Sequence, residues 1–95
     1  SGPLTMATIS RSLEAVKFVI ETAGADPNEN RPNVGNALHI AARAAANDII
    51  EYLVAKGTDL NMKDRFGRTP LEAAAFDAPK PTEALLRKLT AAQAK

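Results

Sequence analysis

The stretch DRFGRTPLEAAA, residues 64–75, indicates how the rest of the chain folds. Pro70 suits the first turn of a helix, where its missing N–H would have no partner, and an alanine-rich apolar run follows it. A weaker copy of this run, ALHIAARA, lies 33 positions earlier at residues 37–44. A repeat of this period predicts a stack of similar helical units.

A second motif recurs with the same period. AGADPN ends at Asn28 and KGTDLN ends at Asn61, 33 positions later. Each follows an apolar stripe with helical spacing, at residues 16–20 and 49–54. Gly24 and Gly57 follow the helices that these stripes predict, where a left-handed helix end needs glycine. Each unit is therefore predicted to end with a helix and a turn.

The helices predicted at the end of each unit also begin with residues that favour helix capping. Ser12 precedes Leu13 as a predicted N-cap, and Asn47 is predicted to cap the following unit in the same way. A single helix pair cannot bury its apolar stripe alone, so neighbouring pairs are expected to stack.

Together these residues resemble the ankyrin repeat, whose pattern is roughly D-x-x-G-x-T-P-L-H-x-A-A, a helix, and G-A-D-x-N. The resemblance covers almost the whole chain, and it implies an all-α solenoid with short finger turns in one domain, residues 1–95. About three repeats are expected, at residues 3–30, 31–63 and 64–95, the first of them truncated at its start. It further implies recognition of a partner protein without catalysis.

The two ends depart from the pattern. The turn APKP, residues 78–81, predicts that one helix stops near Asp77 and that a capping helix covers residues 81–92. The side chains expected to point outward from the capping helix are Glu83, Arg87, Lys88 and Gln93. At the other end, Leu4, Met6 and Ile9 are expected to leave an apolar edge, which is covered either by further chain upstream in the parent protein or by another surface such as a second copy.

Composition limits the classes of function. Twelve basic and eleven acidic side chains leave a net charge of +1, which favours neither a nucleic acid nor a membrane as partner. The chain has no cysteine, so it has neither disulfides nor thiol catalysis, and an intracellular location, cytoplasmic or nuclear, is expected.

His39 is the single histidine and the obvious candidate for chemistry. A zinc site needs three or four His or Cys ligands, so no metal or other cofactor is expected. The resemblance implies a structural role, in hydrogen bonds that tie a helix start to a neighbouring loop. Here the motif is split, because Asn36 replaces the usual Thr before His39, and Glu72 replaces the usual His after Thr69.

The carboxylate pairs Asp26/Glu29 and Asp59/Asp64 are interpreted as turn chemistry, since Asp bonds its own backbone in turns. The isolated glycines do not form a phosphate-binding loop, and no Ser or Thr has the base that a nucleophile requires. The chain is therefore not expected to be an enzyme.

Candidate binding residues cluster in the turn NMKDRFGR, residues 61–68, with further candidates on the first helices of the repeats. Exposed aromatic and arginine side chains are typical of protein-binding hot spots, and the positive charge indicates an acidic or phosphorylated segment on the partner. The matching turn of the repeat before contains Pro32 and Asn33. The full set of expected partner-binding residues is Arg43, Lys63, Arg65, Phe66, Arg68, Phe76 and Asp77. Two alternatives stay open: a regulatory domain of a larger enzyme or channel, and a self-associating module.

Overall fold

In the computed structural model, which describes residues 2–31 and 35–94, the chain folds into helices joined by turns. The helices are α1 Pro3–Ile9, α2 Leu13–Glu21, α3 Ala37–Arg43, α4 Asn47–Ala55, α5 Pro70–Asp77 and α6 Lys80–Gln93. The described ranges contain no strand, only a single bridge between Arg31 and Gly35. The predicted all-α architecture is confirmed.

The helices pack as three consecutive pairs in two layers, with the odd-numbered helices in the first layer and the even-numbered helices in the second. Each odd-numbered helix packs on the even-numbered helix that follows it, α3 packs between α1 and α5, and α4 touches both α2 and α6. Small side chains line the contacts of the first layer: Ala41, Ala42, Ala73 and Ala74 are fully buried. Because alanine is small, these side chains leave little bulk between the helices of the first layer.

Most predicted helix ends are confirmed. Ser12 Oγ accepts a hydrogen bond from the Ala15 N–H at 3.1 Å, and Pro70 is the first residue of α5. Gly57 follows α4 with a φ of +92°, a left-handed conformation that favours glycine. The first helix of the last pair ends at Asp77, as predicted.

The N-cap prediction for Asn47 is wrong. Ala46 occupies the cap position, and Asn47 is the first residue of α4. Its side-chain Oδ1 accepts a hydrogen bond from the Thr82 hydroxyl at 2.8 Å, which joins α4 to α6. The preceding turn is tight, with Ala45 at a φ of +55°, and the helix begins one residue earlier than it would if Asn47 were its cap.

The last helix is slightly longer than predicted. It begins at Lys80 rather than Pro81 and ends at Gln93. Arg87 and Lys88 are exposed as expected, whereas Glu83 is half-buried and accepts a 2.7 Å bond from Arg87. No helix in the described ranges is long and apolar enough to cross a membrane.

The expectation for the N-terminal edge is partly wrong. Met6 and Ile9 are 56% and 55% exposed, but Leu4 is 1% exposed and belongs to the core. Residues three and four apart share a helix face, so Leu4 points the same way as the buried Ala7 and Thr8. The exposed apolar edge is therefore limited to Met6 and Ile9.

Candidate functional site

His39 connects the start of α3 to the turn that follows α4. The side chain is fully buried; its Nδ1 accepts a hydrogen bond from the Asn36 N–H at 3.1 Å, and its Nε2 donates to the Arg68 carbonyl at 2.8 Å. One neutral tautomer makes both bonds, because Nε2 carries the proton and Nδ1 accepts. Burial lowers the pKa of His39, mainly by desolvating the charged form. The predicted hydrogen bonds between helix start and neighbouring loop are confirmed.

Asn36 takes over the bonding of the missing threonine. Its Oδ1 accepts from the Leu38 N–H at 3.0 Å, and its Nδ2 donates to the Asp59 carbonyl at 2.9 Å. The amide therefore caps α3 and also contacts the next unit. In the third pair, Thr69 and Glu72 form a reciprocal capping box at the equivalent place.

Asp64 holds the 61–68 turn in shape from inside. One oxygen, Oδ1, accepts from the N–H groups of Phe66 and Arg68 at 2.9 and 3.0 Å, while Gly67 has a φ of +75°. Burial works to raise the pKa of Asp64, but the bonds from the Arg68 and Phe66 N–H groups and the nearby positive charge lower it on balance. The ionised carboxylate thus anchors the turn.

The turn and α5 bring two phenylalanines and two arginines together. The Arg68 guanidinium carbon lies 5.0 Å from the centre of the Phe66 ring and 5.2 Å from that of Phe76. Arg65 lies 4.8 Å from the Phe66 ring centre. We call these four residues the Arg–Phe cluster. Its rings remain accessible, because Phe66 is 62% exposed and Phe76 is 78% exposed.

The other predicted binding residues are exposed but are not joined to this cluster. Arg43 ends α3, Asp77 ends α5, and Lys63 lies on the 61–68 turn. Within residues 2–31 and 35–94, none of the three forms a hydrogen bond or ion pair with a cluster residue. Arg43 and Phe76 occupy equivalent positions of adjacent helices, so both belong to the same layer. Pro32 and Asn33 lie outside the described residues.

A second polar cluster, on the even-numbered helices, was missed by the sequence analysis. The Tyr52 hydroxyl donates to Glu21 at 2.5 Å, and the ammonium groups of Lys17 and Lys56 lie 5.7 and 5.6 Å from the ring centre. Burial, followed by the bond to Glu21, raises the pKa of Tyr52 to about 12. The alignment of Tyr52 with aromatic Phe18 is the one sequence signal at this position, and it does not reveal the charged neighbours.

The three aspartates of the predicted carboxylate pairs bond the backbone of their own turns, as predicted, whereas Glu29 does not and lies 3.9 Å from the Arg31 guanidinium instead. Asp26 Oδ1 accepts from the Asn28 N–H at 2.9 Å, and Asp59 Oδ1 accepts from the Asn61 N–H at 2.8 Å. In the described part of the chain, no group of three or more His, Cys, Asp or Glu side chains is placed to hold a metal ion.

Comparisons with known proteins agree on one family. A family model described as ankyrin repeats, in three copies, matches residues 3–93. BRCA1-associated RING domain protein 1 of Caenorhabditis elegans is 38% identical over 76 residues, which are 79% of this chain and 11% of that protein. The Neurogenic locus Notch protein of Drosophila melanogaster is 44% identical over 66 residues, 67% of this chain and 2% of that protein. The mouse Protein phosphatase 1 regulatory subunit 12A is 46% identical over 41 residues, 43% of this chain and 4% of that protein. The chain thus spans a small part of the length of these relatives.

Proposed function

The chain belongs to the ankyrin-repeat family, and we propose that it binds a partner protein through the 61–68 turn and the adjoining α3 and α5. Ankyrin repeats are generally protein-interaction modules, and the matching family is not a catalytic one. The observation that carries the proposal is the Arg–Phe cluster, where two exposed rings flank one guanidinium. A few hot-spot residues carry most of the binding energy at typical protein interfaces, and these are enriched in aromatic and arginine side chains.

The cluster has a rigid support, which lowers the entropy cost of binding. Asp64 fixes the turn through two backbone N–H groups, and His39 fixes it through the Arg68 carbonyl. Side chains on a pre-organised backbone lose less freedom when a partner docks. We place Arg43, Lys63 and Asp77 at the margin of the same surface, where they contact the partner less centrally.

The partner segment is proposed to be acidic. Lys63 and Arg65 are exposed on the same turn as Arg68, so a negatively charged segment is attracted and oriented as it approaches. Such attraction raises the association rate at low salt and weakens as salt screens it.

Partner capture from a native lysate tests the proposal. Arg65 and Phe66 are changed together to Ala, and the matched control changes Arg87 and Phe18 to Ala, which removes the same residue types from exposed sites elsewhere. We expect the first variant to lose the partners that the wild type captures and the control to retain them. Equal capture by the wild type and the Arg65/Phe66 variant, with the helical content of both intact, would contradict the proposal.

Self-association through the N-terminal edge is a second candidate. It rests on Met6 and Ile9, which are 56% and 55% exposed on one short helix. Sedimentation across a dilution series is expected to show dimers in the wild type and monomers after Ile9→Lys. A wild type that stays monomeric at every concentration excludes this function.

We also propose that the chain serves as a regulatory ankyrin segment in a larger intracellular protein. The curated relatives support this, because the matched region is 11% or less of each of the three. The division into repeats at residues 3–30, 31–63 and 64–95 belongs to the same proposal. Sequencing the complete transcript tests whether the chain is a segment of a larger protein and where its first repeat begins, since further repeats upstream would move the first boundary.

A further inference from the structure

Arg68 is held in place before any partner arrives. Its guanidinium carbon lies 5.0 Å from the Phe66 ring centre and 5.2 Å from the Phe76 ring centre, and its Nε lies 3.8 Å from Asp64 Oδ2. The Arg68 side chain is 24% exposed, whereas the Asp64 side chain is 2% exposed. A flexible side chain has thus lost most of its freedom within the fold, so a ligand that pairs with it incurs little further entropy cost.

The charge around Arg68 selects an anion. Residues 61–68 contain three cations and one carboxylate, a net charge of +2, while the whole chain carries +1, which leaves the remainder at −1. The one carboxylate, Asp64, is already committed to the backbone N–H groups of the turn. The turn is therefore the positive region of an otherwise slightly negative chain.

The surroundings of Arg68 also select an apolar neighbour for that anion. The two rings flank the guanidinium and keep 62% and 78% of their surfaces exposed. An aliphatic or aromatic side chain laid on these rings buries apolar surface and removes water from the guanidinium. A charged hydrogen bond is stronger where water is excluded, so the two contacts support each other.

We propose that the Arg–Phe cluster is a receptor for a carboxylate adjacent to a large apolar side chain on a partner peptide, with Arg68 selecting the carboxylate. This inference rests on the proposed function and names the chemistry that the same surface recognises. The planar guanidinium matches a carboxylate with two parallel hydrogen bonds, which a lysine ammonium does not reproduce.

A carboxylate is favoured over a phosphate because Asp64 lies so close. Its ionised oxygen is 3.8 Å from Arg68 Nε, and it repels any further negative charge placed beside the guanidinium. A phosphoserine carries nearly two charges near neutral pH, so it meets about twice the repulsion that a carboxylate meets. The apolar rings add no stabilisation for the second charge.

NMR titration of the whole 95-residue chain with blocked dipeptides tests the inference. The probes are N-acetyl-Glu-Leu-amide, its Gln-Leu and Glu-Gly analogues, and its phosphoserine-Leu analogue. We expect Glu-Leu to shift the backbone resonances of Phe66, Arg68 and Phe76 saturably, and the three analogues to bind more weakly. Arg68→Lys is expected to weaken Glu-Leu binding about tenfold. The matched control Arg87→Lys is expected to leave it unchanged.

Several results would overturn the inference: no saturable shift with Glu-Leu, equal binding of Gln-Leu, tighter binding of the phosphoserine probe, or equal effects of the two lysine variants. If Arg68→Lys does not fold, Phe76→Ala replaces it, because Phe76 is 78% exposed and its loss is expected to spare the fold while weakening Glu-Leu binding. Failure here is distinguishable from failure of the proposed function. Lysate capture that still depends on Arg65 and Phe66 would keep the interaction surface and refute its carboxylate chemistry alone.

Discussion

Replacing His39 by Ala tests whether this residue fastens the turn to the helix layer. The change removes a buried 3.1 Å bond with the Asn36 N–H and a 2.8 Å bond to the Arg68 carbonyl, and it deletes a fully buried ring. Each bond contributes about 0.5–1.5 kcal/mol, and leaving the buried Asn36 N–H without a partner costs about 1–3 kcal/mol. We expect the free energy of unfolding to fall by about 3–4 kcal/mol in total.

Glu72→Ala is the matched control, since Glu72 occupies the equivalent position of α5, 33 residues later. Glu72 also bonds its cap residue, through the Thr69 N–H at 2.9 Å, but it is exposed. Its loss is therefore expected to cost about 1 kcal/mol or less, because water replaces the bond. Urea unfolding followed by circular dichroism measures both variants. Equal losses, or a loss below about 1 kcal/mol for His39→Ala, would show that His39 does not fasten the turn to the helix layer.

Three further predictions concern stability. Because the pKa of His39 is lowered in the fold, the unfolded chain takes up the proton first, and the free energy of unfolding should fall as pH drops from about 6.5 towards the folded pKa. His39→Ala should show a flatter urea-midpoint profile between pH 7 and 5, and identical slopes would contradict this. Leu53→Ala should lower the free energy of unfolding by about 2–5 kcal/mol, because Leu53 is fully buried. Leu71→Ala should lower it by less than about 2 kcal/mol, because Leu71 is half-buried. Urea titration measures both variants, and a larger loss for Leu71→Ala than for Leu53→Ala would show that the packing is misassigned. Ala45→Gly should raise the thermal midpoint, because the strain of a φ of +55° exceeds the added entropy of unfolded glycine by about 0.5 kcal/mol, and a lower midpoint would disprove it.

The fold follows from the sequence because two motifs recur with one period. That period places Pro70 and Gly57 at helix ends, and the structure confirms both. The errors arise where local signals compete with packing. Asn47 is a good cap by residue type, but the tight turn at Ala45 begins the helix earlier, and the Asn side chain bonds Thr82 instead. Leu4 was misplaced because its residue type alone does not say which face of α1 it occupies.

The candidate site is only partly predictable. Repeat alignment places Phe76 on the first helix of its repeat, at the position equivalent to Arg43. The sequence places Arg68 and Phe66 within the 61–68 turn. The contact of Arg68 with both rings depends on side-chain rotamers and on the support that Asp64 gives from inside the turn. Neither depends on spacing along the chain, so sequence analysis predicts the members of the cluster and not its geometry.

Hydrogen–deuterium exchange on the complex with a captured partner tests directly whether the 61–68 turn and α5 form the binding surface. Binding is expected to slow exchange across residues 63–77, which include the charged part of the 61–68 turn and α5, and to leave exchange in α2 and α6 unchanged. Slowed exchange confined to α2 and α6, with residues 63–77 as fast as in the free chain, would contradict this expectation.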